Sequence, residues 1–78
     1  MALIKKFHDI GAGKLGRIRS EVDCTYATFE LEGRRYLQLD TFGSSDRVFR
    51  GKLSQSIQLD RKGARFLKAL IERTFPGI

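Results

Sequence analysis

The chain has no tryptophan, and only one cysteine, one proline and one histidine among its 78 residues. Each shortage excludes something. A lone cysteine, Cys24, cannot form an internal disulfide, nor can it build a thiolate metal site within one chain. Cys24 lies in an alternating apolar stretch and reads as a small core residue. The lone histidine, His8, has Asp9 beside it to orient it, but no nucleophile is placed near either. Asp40 and Asp60 are the one candidate carboxylate pair, and a turn and a helix cap already account for them. No ligand cluster has metal spacing. The expectation is a protein that is not an enzyme and holds no metal or cofactor.

Long apolar runs are absent too. Nothing approaches the roughly 20 residues that span a bilayer, so no membrane partner is expected. The start offers only Leu3-Ile4 before Lys5 and Lys6, which does not read as a signal peptide. The reducing cytoplasm is the expected compartment, with a place in the nucleoid if the source is bacterial. No linker or low-complexity segment divides the chain, so 1–78 reads as a single domain. Residues 1–12 read as either a loose arm or a short strand. A domain this small buries roughly 60% of its unfolded surface and is marginal alone, so a homodimer is expected.

Gly11-Ala12-Gly13-Lys14-Leu15-Gly16 matches GxGxxG. The dinucleotide fingerprint needs a following helix inside a βαβ unit. Here the next residues alternate as a strand, so the glycines read as a turn or bulge.

What is present in excess is positive charge, a net +6, and it is uneven. Residues 1–19 carry five bases and one acid. Residues 20–33 carry four acids (Glu21, Asp23, Glu30, Glu32) and no base. Residues 34–78 carry ten bases and four acids. Such an excess points to a polyanionic partner.

From Arg17 the apolar period is two. Ile18, Val22 and Cys24 alternate with Arg17, Arg19, Glu21 and Asp23; then Ala27, Phe29 and Leu31 alternate with Tyr26, Thr28 and Glu30. After the turn signal Glu32-Gly33-Arg34, Leu37 and Leu39 alternate with Tyr36, Gln38 and Asp40, so the two runs form a hairpin. Glu30 and Glu32 on one arm would face Arg34 and Arg35 on the other. A loop from Gly43 to Lys52 interrupts the pattern, and Ser54 to Leu59 restores it, with Ile57 and Leu59 inward and Ser56 and Gln58 outward. Leu37-Gln38-Leu39-Asp40 is echoed by Ile57-Gln58-Leu59-Asp60. Asp60 caps a helix whose apolar stripe is Phe66, Leu67, Leu70, Ile71 and Phe75, and Pro76-Gly77 ends it. The fold class is therefore α+β: an antiparallel meander of about four strands, then one C-terminal amphipathic helix packed on it.

Bases and aromatics interleave on the outward strand face. Arg17, Arg19, Tyr26, Tyr36 and Gln38 fall there, and the loop adds Arg47, Phe49, Arg50 and Lys52. Cations that track a backbone beside rings that stack bases are how single-stranded nucleic acid is held. Arg61, Lys62 and Arg65 crowd the helix start, where the macrodipole is already positive. Folding does not need cations there: either a bound phosphate explains them, or they simply neighbour Asp60 and the cost is screened away. An acidic partner protein is the other reading of the basic face, as a protein-interaction or inhibitor module.

The order of elements resembles the single-stranded-DNA-binding domain of the positive cofactor four family of transcriptional coactivators. The likeness runs from Arg17 to Phe75 and is closest at Arg50-Gly51-Lys52 leading into Ile57-Gln58-Leu59. The chain departs from that family in a longer gap after Lys52 and in lacking the helix tryptophan. It is also similar to small uncharacterised bacterial proteins with a strand-loop-strand signature. The resemblance implies a homodimer whose helices and sheets pack together, leaving strand faces to grip unpaired nucleic acid.

Overall fold

The structure is a computed structural model that describes residues 1–11, 16–42 and 53–78. Four strands and one helix follow in order: β1 (Ala2–Leu3), β2 (Cys24–Leu31), β3 (Arg34–Phe42), β4 (Leu53–Leu59) and α1 (Arg61–Thr74). The class is α+β as expected. The sheet, in the order β1-β4-β3-β2, is mixed rather than purely antiparallel. Strands β2, β3 and β4 make the antiparallel meander, while β1 joins β4 in parallel, with Ala2 opposite Ile57 and Leu3 opposite Gln58. No hairpin links β1 to β4, so no local turn dictates their relative direction. Of the two readings of residues 1–12, the strand is present, though it is only two residues long.

The β2–β3 hairpin turns on Glu32-Gly33. Both have positive φ, 52° and 79°, which is the type I′ geometry that matches strand twist. A two-residue loop fixes the register: Leu31 opposes Arg34, Phe29 opposes Tyr36 and Thr28 opposes Leu37. Residues directly opposite each other share a face. Phe29 therefore lies with Tyr36, away from Leu37 and Leu39. This corrects the expectation that Ala27, Phe29 and Leu31 would line the same inner face as the two leucines. Tyr26, expected beside Tyr36, lies instead on the leucine side, opposite Leu39, and is 78% exposed. Arg35 reaches Glu30 across the pair at 3.5 Å, an exposed contact that adds little stability.

The echo of the two LQLD-like segments has a geometric meaning. Antiparallel pairing sets Gln38 opposite Gln58, Leu37 opposite Leu59 and Leu39 opposite Ile57. The four aliphatic side chains make one floor, and α1 packs on β4 above it. Leu59, only 2% exposed, is the one fully buried large apolar residue among those described. Burying it is worth about 1.5–3 kcal/mol.

A helix of 14 residues is marginal alone and needs packing. The chain after β1 supplies it. Ile4 donates its N–H to the Gln58 carbonyl, and its own carbonyl passes over buried Gly63, where an added Cβ would lie 3.3 Å from it. Phe7 then stacks on Phe66 with ring centroids 4.9 Å apart. The N-terminal segment is a strap across the start of the helix.

Three further expectations change. Residues 16–23 are not strand, and Ile18 is 93% exposed, because the last described rung with β3 is Phe42 N–H to the Asp23 carbonyl. Alternation without a partner strand does not make a strand. Cys24 is exposed, not core, because α1 lies over β4 and leaves the β2 end uncovered. Ser56, expected outward and wet, is 5% exposed, because β4 is flanked by β1 on one side and β3 on the other. The loop Gly43 to Lys52 lies outside the described residues.

A left-handed glutamate costs about 1 kcal/mol that asparagine largely avoids. Glu32→Asn should therefore raise unfolding stability by up to about 1 kcal/mol, and Gly33→Ala should lower it by a similar amount, in urea unfolding at fixed protein concentration.

Candidate nucleic-acid interface

The face of the sheet that α1 leaves bare is set by the hairpin register. Strand β2 gives it Ala27, Phe29 and Leu31; β3 gives Arg34, Tyr36, Gln38 and Asp40; β4 gives Ser56 and Gln58. Phe29 and Tyr36 stack with centroids 5.3 Å apart and planes 22° from parallel. Offset stacking at this distance is favourable in itself and leaves an aromatic surface to extend. Beside it, at the hairpin end, Leu31, Glu32, Arg34 and Tyr36 line an open depression of about 280 Å³. Neither Phe29 nor Arg34 was among the expected site residues. The signal that finds them is the parity of a two-residue turn, which pairs odd positions of β2 with even positions of β3.

Next to the ring pair runs a chain of polar side chains. Gln38 Nε2 donates to both Asp40 oxygens at 3.2 Å, and Ser56 Oγ donates to Asp40 Oδ1 at 2.6 Å. Gln58 Nε2 donates to Gln38 Oε1 at 2.9 Å. A carboxylate only accepts, so Asp40 fixes which way the Gln38 amide points, and Gln38 then fixes Gln58. The chain pins the β3–β4 register from the side opposite the leucines. Its one charge is negative, so a phosphate backbone on this face is steered toward Arg34 and away from Asp40. Ser56 Oγ is buried and committed to Asp40, so it is not presented to solvent as a nucleophile.

The expected site residues that are described do not form one surface within a single chain. Tyr36 and Gln38 are together on the bare face, both half-buried. Arg17 and Arg19 are exposed in the irregular segment before β2. Arg61, Lys62 and Arg65 are exposed on α1, across the sheet from Tyr36. Arg47, Phe49, Arg50 and Lys52 lie outside the described residues. Asp9, the expected orienter of His8, accepts instead from the Gly11 N–H at 2.8 Å.

The helix start already has an anion. Asp60 Oδ1 accepts from the Gly63 N–H at 2.9 Å, and Oδ2 meets Lys5 Nζ at 2.6 Å. Between α1 and the sheet, Leu37, Leu59, Ala64, Leu67 and Ile71 line an open apolar groove of about 330 Å³. Among the described residues no helix is long and apolar enough to cross a membrane, and no three His, Cys, Asp or Glu side chains gather as metal ligands. No protein-family model, curated protein or solved structure matches the chain.

The Lys5 ammonium, and after it the Gly63 N–H, hold the Asp60 carboxyl below its usual range. A lowered folded pKa stabilises fully above the unfolded value, near about 3.9, and that stability is lost as pH falls through the folded value. Melting temperatures taken from pH 5 down to pH 2 should therefore fall less steeply in Asp60→Asn, which still caps the helix, and in Lys5→Met. Equal slopes in all three proteins would show that the Lys5–Asp60 pair carries no pH dependence.

Proposed function

We propose that the chain is a non-enzymatic nucleic-acid-binding module of the positive cofactor four kind, favouring single strands and working as a homodimer in the cytoplasm. The observation that carries this reading is the Phe29–Tyr36 stack on the bare sheet face, in a protein of net charge +6. Unpaired bases can join such a stack, whereas paired bases keep their faces occupied, and this favours single strands. Gln38 supplies an amide at the edge of the stack, and Arg34 a cation beside it. Arg17 and Arg19 extend the basic track. Arg47, Arg50 and Lys52 are proposed as further phosphate contacts, with Phe49 as a further ring.

The homodimer rests on burial. With Leu59 the sole fully buried large apolar residue among those described, a single copy has little core to oppose chain entropy. A second copy adds buried area. An exposed lone thiol, Cys24, suits a reducing compartment.

Titration with single-stranded DNA, duplex DNA and RNA at two salt concentrations tests the reading. Tyr36→Ala and Phe29→Ala should each weaken single-strand binding about tenfold or more, with the salt slope unchanged, because stacking releases no counterions. Arg34→Ala should lower that slope by about 0.7. Weak binding to every nucleic acid would favour an acidic partner protein instead, and tight binding indifferent to Tyr36→Ala would remove the sheet face from the account.

A further inference from the structure

The sheet has two edges, and they are not alike. At one, β1 is two residues long and the chain then turns across α1. Very short edge strands are a usual protection against further pairing. At the other edge lies β2, eight residues long. Its outward hydrogen-bonding groups can be identified. The two-residue turn makes Leu31 and Arg34 a bonded pair, and the Phe42 N–H to Asp23 carbonyl bond shows the same phase at the far end. Odd residues of β2 therefore bond to β3. Cys24, Tyr26, Thr28 and Glu30 direct their N–H and C=O groups away from the sheet, and no described residue takes them.

The usual guards are missing from this edge. β2 contains no proline and no lysine, and the irregularity that breaks the ladder lies between β3 and β4. Tyr26 and Leu31 stand exposed along it.

We propose that β2 pairs antiparallel with β2 of a second copy, joining two sheets into one of eight strands. This names the interface of the dimer put forward above and rests on that part of the reading, not on nucleic-acid binding. Two observations favour a second copy as the occupant. Among the described residues only one long edge is open, so the pairing closes at two copies and does not propagate into a fibre. A two-fold axis near Ala27 and Thr28 brings Glu21 and Asp23, which precede one strand, beside the hairpin end of the other, where Arg34 is exposed without an ion pair among the described residues. The acids nearer that turn do not oppose this. Glu30 is matched by Arg35 of its own chain, and Glu32 lies in the turn, beyond the paired stretch.

Sedimentation equilibrium of the full chain tests the proposal with Thr28→Pro. Thr28 gives no N–H to β3, so proline deletes an outward donor and leaves the hairpin ladder whole. The dimer dissociation constant should rise about 100-fold, as expected for losing two ladder bonds near the axis. Thr28→Lys, which keeps the backbone intact and sets two cations against each other, should also weaken the dimer and decides the matter if the proline variant does not fold. Ile71→Lys, in the groove beside α1, should leave the constant within about threefold of wild type. A dimer unmoved by either Thr28 change, or dissociated by Ile71→Lys alone, overturns the β2 interface and leaves the dimer itself standing. A wild-type monomer at micromolar concentration overturns both.

Discussion

The register of β2 against β3 follows from two residues with positive φ. Glu32 and Gly33 close the hairpin in two residues, and a two-residue loop permits one register only. A slip of one position would move every β2 side chain to the other face. With the register as it stands, Phe29 meets Tyr36 on the bare side and Leu37 joins Leu59 under the helix. The same parity decides which backbone groups of β2 are spent on β3 and which remain at the edge. Stacking surface, apolar floor and open edge are thus three consequences of one turn.

The second constraint is scarcity of core. The helix is held at its start by Ile4, Lys5 and Phe7, and at its base by Leu59, while Phe66, Ile71 and Phe75 remain 48%, 38% and 59% exposed. Charge is distributed to match. The acid-only stretch 20–33 coincides with the open edge and its approaches, and the exposed cations of α1 are on the other side of the sheet from Tyr36. Exposed acids and exposed cations therefore lie on different parts of the described surface.

Much of the fold was legible in the sequence because its signals are local. The helix declares itself through a capping aspartate, a three-and-four spacing and a Pro-Gly stop, and it runs from Arg61 to Thr74. The hairpin declares itself through alternation on both sides of Glu32-Gly33. What alternation cannot supply is the partner. Ile18 and Val22 alternate as well as Phe29 and Leu31 do, yet no described strand lies beside them. Phe29 departs from the inward face because the turn couples the two arms, which alternation within one arm does not show. A short strand is one of the two readings of residues 1–12, but its parallel pairing is not legible, since its partner β4 is some fifty residues away and no turn joins them. Of the residues on the helix-free face, alternation places Tyr36 and Gln38 outward, whereas from sequence Arg34 reads only as a turn charge and Phe29 only as core.

The central claim is that the helix-free face, and not the cationic outer side of α1, meets the nucleic acid. A two-dimensional amide NMR titration of the full chain with a short oligothymidine single strand tests it most directly. The account predicts saturable shifts centred on Phe29, Arg34, Tyr36 and Gln38, with Arg61, Lys62 and Arg65 little changed. Shifts confined to Arg61, Lys62 and Arg65, with Phe29 and Tyr36 unmoved, would contradict it.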